Sequence, residues 1–151
     1  MTSAVAQGSS TFEIRHDTSR STPADQYPKE SPPYDFPGTI YRMPVGDHWE
    51  TVITIANVRI IFLALDEHRM QIRCEFDVDA QVHGCWVGFD VKIFDGNSFQ
   101  LGQESFGLPL DCGKNHYDSG FRNTPNNYFN IIGSLTVTYE KETFGPAPVL
   151  C

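Results

Sequence analysis

Basic residues are scarce in this chain: 11 Lys and Arg stand against 19 Asp and Glu, a net charge of −8. Phosphate backbones and anionic lipid would repel it, so nucleic acid and bare membrane surfaces are poor partners. Long apolar runs are missing as well. The longest, IIFLAL (Ile60 to Leu65), has a strand's length and falls far short of a membrane span. The opening MTSAVAQGSS has no basic residue and no apolar run, so it does not read as a secretory signal. There is no Asn-x-Ser/Thr acceptor, and the final PAPVLC is not a prenylation box. The expectation from these absences is a cytoplasmic protein.

Strong catalytic signatures are also lacking. No P-loop, dinucleotide-binding glycine pattern, nucleophile elbow or zinc-protease helix occurs, and no cofactor is expected. Cysteines number four, and their spacing is not that of a small stapled scaffold. Cys74 and Cys85 read as small buried hydrophobes. HGC (His83 to Cys85) and CGKNH (Cys112 to His116) would make a metal site only if their loops met, so no metal is expected.

What is present is period-two alternation. From Met70 to Asp79 one face carries Met70, Ile72, Cys74, Phe76 and Val78, and the other Gln71, Arg73, Glu75, Asp77 and Asp79. From Gly84 to Asp95 one face carries Cys85, Val87, Phe89, Val91 and Ile93, and the other Trp86, Gly88, Asp90, Lys92 and Phe94. This is the pattern of half-buried antiparallel strands. Joined by a four-residue loop, they would pair Phe76 with Val87 and Cys74 with Phe89 on the inner face, and Arg73 with Asp90 outside. Before them, TVITIANVRIIFLAL is dense in β-branched residues, and its alternation falters at Asn57, which marks a bulge or bend.

The turn at Asp95 to Asn97 allows two registers. A two-residue turn puts Gln100, Gly102 and Glu104 inside; a three-residue turn with a bulge puts Phe99 and Leu101 inside. The cost of burying a carboxylate favours the second. GLPLDCGKNHYDSGFRN reads as a long polar loop, and TPNNYFNIIG as a short helix near 125–132, with Thr124 as N-cap and Gly133 past its end. SLTVTYEK alternates again.

Residues 1–38 carry five prolines with Phe12, Tyr27, Tyr34 and Phe36 among them, and read as a Pro-rich arm strapped onto a single domain of residues 39–151. TFEIR (Thr11 to Arg15) is a short strand in that arm. Trp86 and Phe94, on the polar face of their strand, need cover that the arm can give. The expected fold is all-β: an antiparallel meander of about six to eight strands closed into a small barrel, or stacked as a sandwich.

WVGFDVKIFDGNSFQLGQESFGLPL with YFNIIGSLTVTYE resembles small bacterial β-domains of lipocalin-like shape, over roughly residues 50 to 140. The resemblance implies a calyx-like barrel and no particular activity.

The functional expectation is a β-barrel that binds an apolar small molecule, as monomer or homodimer. It extends to cofactor-free cyclisation or isomerisation of a natural-product intermediate, in which the cavity fixes the reactive shape. His116, Asp111 and Glu104 are the candidates for a proton transfer at the mouth. Trp49, Phe76, Trp86, Phe89, Tyr117 and Tyr128 are the candidates for lining the ligand. The alternative is a module without chemistry, a ligand carrier or a protein- or carbohydrate-binding domain. In it the acidic face of Glu75, Asp77 and Asp79 does the work.

Overall fold

The computed structural model describes residues 3–8, 10–16 and 27–151. Among them most residues lie in strands. The first strands are β1 (Val5–Ala6), β2 (Thr11–Arg15), β3 (Lys29–Glu30), β4 (Tyr34–Phe36) and β5 (Thr39–Val45). Next come β6 (His48–Ala64), β7 (Met70–Ala80), β8 (Val82–His83) and β9 (Trp86–Asp95). The chain continues through β10 (Gln100–Pro109), β11 (Gly113–Asp118), β12 (Arg122–Asn123), β13 (Ile132–Tyr139) and β14 (Val149–Leu150). No helix among the described residues is long and apolar enough to cross a membrane.

The all-β, antiparallel expectation is met; closure is not, since no sheet among the described residues curls back on itself. One sheet runs β1-β5-β6-β7-β11, with β3 and β4 also on β6 and β12 on β7; a second runs β10-β9-β13-β2; β14 and β8 form a small third. The two large sheets pack face to face. Two buried phenols tie them: Tyr41 on β5 donates to the Glu140 carbonyl, and Tyr139 on β13 donates to the Pro37 carbonyl, both at 2.7 Å.

The inward faces are those that the alternation marks. Cys74, Phe76 and Val87 are fully buried, and Phe89 nearly so. The pairing is different. β7 pairs β6 and β11, whereas β9 pairs β10 and β13, so the expected hairpin of β7 with β9 does not form. The inward residues of the two strands meet across the core, as Phe76 and Phe89 do with ring centroids 5.2 Å apart. Alternation fixes which side of a strand is apolar but is blind to whether the complementary apolar side lies beside it or opposite. The physical break is at residues 81–85. There β8 turns away to pair β14, and Gly84, at φ +83°, carries the chain from one sheet to the other. Arg73 accordingly meets Asp118 and Glu75, not Asp90.

Other expectations are corrected by local bonding. The helix near 125–132 is reduced to a single 3-10 turn at Phe129–Ile131. Thr124 donates its hydroxyl to the Asn126 carbonyl, and Asn127 donates its side-chain amide to the carbonyls of Asp66 and Glu67, so the polar side chains hold the backbone out of a helix. Gly133 lies in β13, so close to β9 that a Cβ there would stand 2.6 Å from the Asp95 carbonyl. The long polar loop is largely strand: β11 is an edge whose outward residues face water, and Tyr117 on its inward face packs on Phe76. Phe99 is 70% exposed. The turn does span three residues, closed by the Asp95 amide donating to the Phe99 carbonyl, but a bulge between Gln100 and Gly102 resets the register and sets Glu104 opposite Val91.

In residues 1–38, β2 pairs β13 and β3 and β4 pair β6. The TFEIR strand is therefore present; Pro23 lies outside the described residues. Cover for Trp86 comes from Phe144, stacked at a centroid distance of 6.3 Å, and not from the N-terminal segment. Cys74 and Cys85 are free and buried, as expected, while Cys112 and Cys151 form a disulfide.

Candidate functional site

β6 runs for 17 residues and changes register twice, against β5 between Thr51 and Ile53 and against β7 at a bend around Asn57. Asn57 sits at φ +56°, a left-handed conformation that Asn tolerates better than other side-chain-bearing residues, and the register with β7 shifts between Ala56 and Arg59. On the other flank of β6, the strand formed by β4 and β5 is broken by Pro37 and Gly38. Proline offers no N–H to the ladder. Gly38 is packed so closely on β6 that a Cβ would fall 1.6 Å from the Ile55 carbonyl oxygen. The bend opens an outer groove of about 1000 Å³. Phe12, Phe36, Pro37 and Ile40 give it an apolar side; Asp35, Arg59, Glu75 and His116 give it a polar one.

The polar side is a connected chain of hydrogen bonds. The Asn57 side-chain amide donates to Asp77 Oδ2 at 2.8 Å, and Asp77 Oδ1 lies 2.7 Å from His116 Nδ1. His116 Nε2 stands 3.7 Å from Glu75 Oε2. Arg59 donates to Asp35 at 3.0 Å beside them. A carboxylate on Nδ1 places the proton there and leaves Nε2 to a ligand. A second depression of about 420 Å³, between Thr54, Asp79 and Lys114, shares His116 and Ala56 with the groove, so the imidazole forms a wall between the two.

These bonds shift the titration of both partners. The Asp77 hydrogen bond raises the His116 pKa; desolvation, the next largest effect, opposes it, and the charges of Asp77, Glu75 and Asp118 add to the rise. The Asn57 and His116 hydrogen bonds lower that of Asp77. A raised histidine stabilises the fold below its ordinary value of about 6.5 and loses this as pH rises through its folded pKa; a lowered aspartate stabilises above about 3.9 and loses this as pH falls through its own. The pair is therefore fully formed between about pH 4 and 6.5. An NMR titration of the His116 ring is expected to give a pKa above 6.5 that falls back toward it in Asp77→Asn.

The other expected site residues do not gather here. Asp111 is exposed beside a smaller cleft of about 260 Å³ with Asn115 and Tyr117. Glu104 faces inward from β10, its side chain 16% exposed and its carboxylate 3.7 Å from Arg122. His116 points outward from the other large sheet and Asp111 lines a different cleft, so the three proposed proton carriers do not come together. Phe76, Phe89 and Tyr128 belong to that core. Burial, then the Glu104 charge, pushes the Tyr128 phenol up to about 12. Tyr117 packs on Phe76, and Trp49 and Trp86 are half-exposed on different elements. Among the described residues no three His, Cys, Asp or Glu side chains stand where they could hold a metal ion.

The sequence reading missed Asn57, Asp35 and Arg59 as site residues. Their signal was the break in alternation at Asn57 and the Pro37-Gly38 pair, which fall opposite each other once β4 and β5 align on β6. No protein-family model matches the chain, and comparison with curated proteins and with solved structures finds no match.

Proposed function

We propose that this protein is a small-molecule-binding β-domain whose ligand lies in the outer groove at the β6 bend. The observation that carries the reading is the pairing, along one groove of ligand size, of an apolar strip with the Asn57–Asp77–His116 chain. Such a surface suits an amphiphilic ligand: its hydrocarbon part covers Pro37 and Ile40, and its polar end meets His116 Nε2 and Arg59. A lipocalin-like calyx would instead hold the ligand between the sheets. That space is taken by the rings of Phe76, Phe89, Phe106 and Tyr139, which favours the outer groove.

The second reading keeps chemistry at the same place. A carboxylate-oriented imidazole with one free nitrogen is the arrangement of a general base, able to move one proton in an isomerisation or cyclisation. The His116 side chain is 55% exposed, however, and an open groove excludes little water, so binding without chemistry is the better-supported reading. The exposed disulfide fits an oxidising compartment better than the cytoplasm.

The test is a fragment library of small amphiphilic acids, alcohols and amines, followed by amide chemical shifts. The expected result is perturbation centred on Asn57, Arg59 and His116, with affinity falling about ten-fold in His116→Ala. Perturbation centred on Phe76 and Phe89, or none anywhere, overturns the reading.

A further inference from the structure

The outer face of the second sheet carries a feature unrelated to the groove. Trp86 and Phe144 are backbone partners, the Trp86 amide donating to the Phe144 carbonyl at 2.9 Å and the Phe144 amide donating back at 3.0 Å. Their rings lie 24° from parallel, and 44% and 47% of these residues stay exposed. The floor beneath Phe144 has no side chains. Gly88 and Gly107 face each other across β9 and β10, and Phe144 ring atoms come within 3.5 and 3.9 Å of where their Cβ atoms would be. Trp86 lies in the same way against Gly145, 3.2 Å from the position of a Cβ there. One side of each ring rests on glycine, and the other is open to solvent.

Polar groups of both kinds stand round the rings. Asp90 and Glu140 line the same depression, of about 430 Å³, which is within the range of small-ligand sites. Asp90 accepts the Ser105 hydroxyl at 2.6 Å, while the Glu140 carboxylate and the Trp86 indole N–H have no hydrogen-bond partner among the described residues. Arg122 lines the depression from the β10 edge. Its guanidinium is held 4.2 Å from the Phe106 ring centroid and 3.7 Å from a Glu104 oxygen, and donates through Nη2 to the Ser105 carbonyl at 3.0 Å. Its Nη1 is left as a fixed donor. That guanidinium repels an added cation. The two carboxylates and the net charge of −8 repel an anion. A wholly apolar ligand would strip water from all three groups without replacing it. The complement is a neutral ring with flat apolar faces and a rim of hydroxyls. A pyranose with equatorial hydroxyls has that form. Its axial C–H bonds meet the negative face of an aromatic ring, and its neighbouring hydroxyls are spaced for one carboxylate or one guanidinium to bind two at once. Equatorial β-linkages keep a chain of such rings flat across both aromatics.

We propose that the Trp86–Phe144 platform, with Asp90, Glu140 and Arg122, binds a neutral β-linked glycan of glucose- or xylose-type pyranose rings. Isothermal titration of cellohexaose, xylohexaose and hexagalacturonate into the full chain, at about 0.15 M ionic strength, tests this. At least one of the two neutral glycans is expected to bind, and hexagalacturonate, with a carboxylate on every ring, about ten-fold more weakly or not at all. Trp86→Ala and Phe144→Ala are each expected to weaken the neutral glycan about ten-fold, and Glu140→Gln by a smaller factor. If an aromatic variant loses its β-sheet circular dichroism, Glu140→Gln carries the test, since that residue is exposed and outside the core. A second readout needs no change at the platform. The chain has two tryptophans, so in Trp49→Phe the emission comes from Trp86 and is expected to move to shorter wavelength as the glycan covers it. No binding of either neutral glycan at millimolar concentration, binding unchanged in these variants, an unmoved Trp86 emission, or hexagalacturonate binding as tightly each overturns the proposal. None of these outcomes bears on the β6 groove.

Discussion

Phe89→Ala is expected to destabilise the protein by about 3–5 kcal/mol, the range for emptying a large aromatic from a packed core. Phe89 is 1% exposed and touches rings from three other strands: Phe76 on β7 at 5.2 Å, Phe106 on β10 at 5.8 Å and Tyr139 on β13 at 5.4 Å. Two of these neighbours share its sheet and the third belongs to the opposite one, so the void would open at the contact between the layers. The edge-to-face approaches to Phe76 and Tyr139 add a further contribution beyond area burial. The shift appears as a lower midpoint in urea unfolding with little change in slope. Phe99→Ala, at a residue 70% exposed, is the control and is expected to stay within about 0.5 kcal/mol.

That core was half legible in the sequence. Alternation told which side chains of β7 and β9 face inward, because a strand's two faces are set by its own residues. It did not tell their partners, because Phe76 beside Val87 in a hairpin and Phe76 against Phe89 across a sandwich leave the same apolar faces buried. The deciding features were short: a two-residue β8 and a glycine at positive φ. The site was legible in pieces. Asn57 stood out as a fault in the pattern, Asp77 as an outward carboxylate and His116 as a titratable group. Their meeting depends on β11 joining the edge of β7 in the register that sets His116 against Asp77, and a polar edge strand looks like a loop in sequence. Glu104 shows the opposite case. The penalty for burying a carboxylate argued against its inward register, and the structure meets that penalty with Arg122, whose position no local pattern reveals.

The second large effect concerns the tail. The Cys112–Cys151 bond joins the start of the β11 segment to the last residue across 39 positions, a loop whose closure lowers the entropy of the unfolded chain by about 4 kcal/mol at 25 °C. What else holds the end is slight: β14 has two residues, Val149 and Leu150, 53% and 48% exposed, paired among the described residues to β8 alone. Cys112→Ser is therefore expected to lower the melting temperature by roughly 10 °C, given about 2–4 °C per kcal/mol at this size. Reduction of the wild-type protein with a thiol should match it, and should leave Cys112→Ser unchanged. Cys74 and Cys85 cannot replace the bond, since burial is the main force pushing both thiols up and keeps them unreactive.

The placement of the groove on the outside follows from β7 and β9 lying in opposite layers over a filled core. Interstrand backbone NOEs test this most directly. Hα–Hα and amide contacts should link β7 to β6 and to β11, with Phe76 and Phe89 joined only through ring protons. Backbone contacts joining Cys74 to Phe89, or Phe76 to Val87, would place the two strands side by side in one sheet and contradict the account.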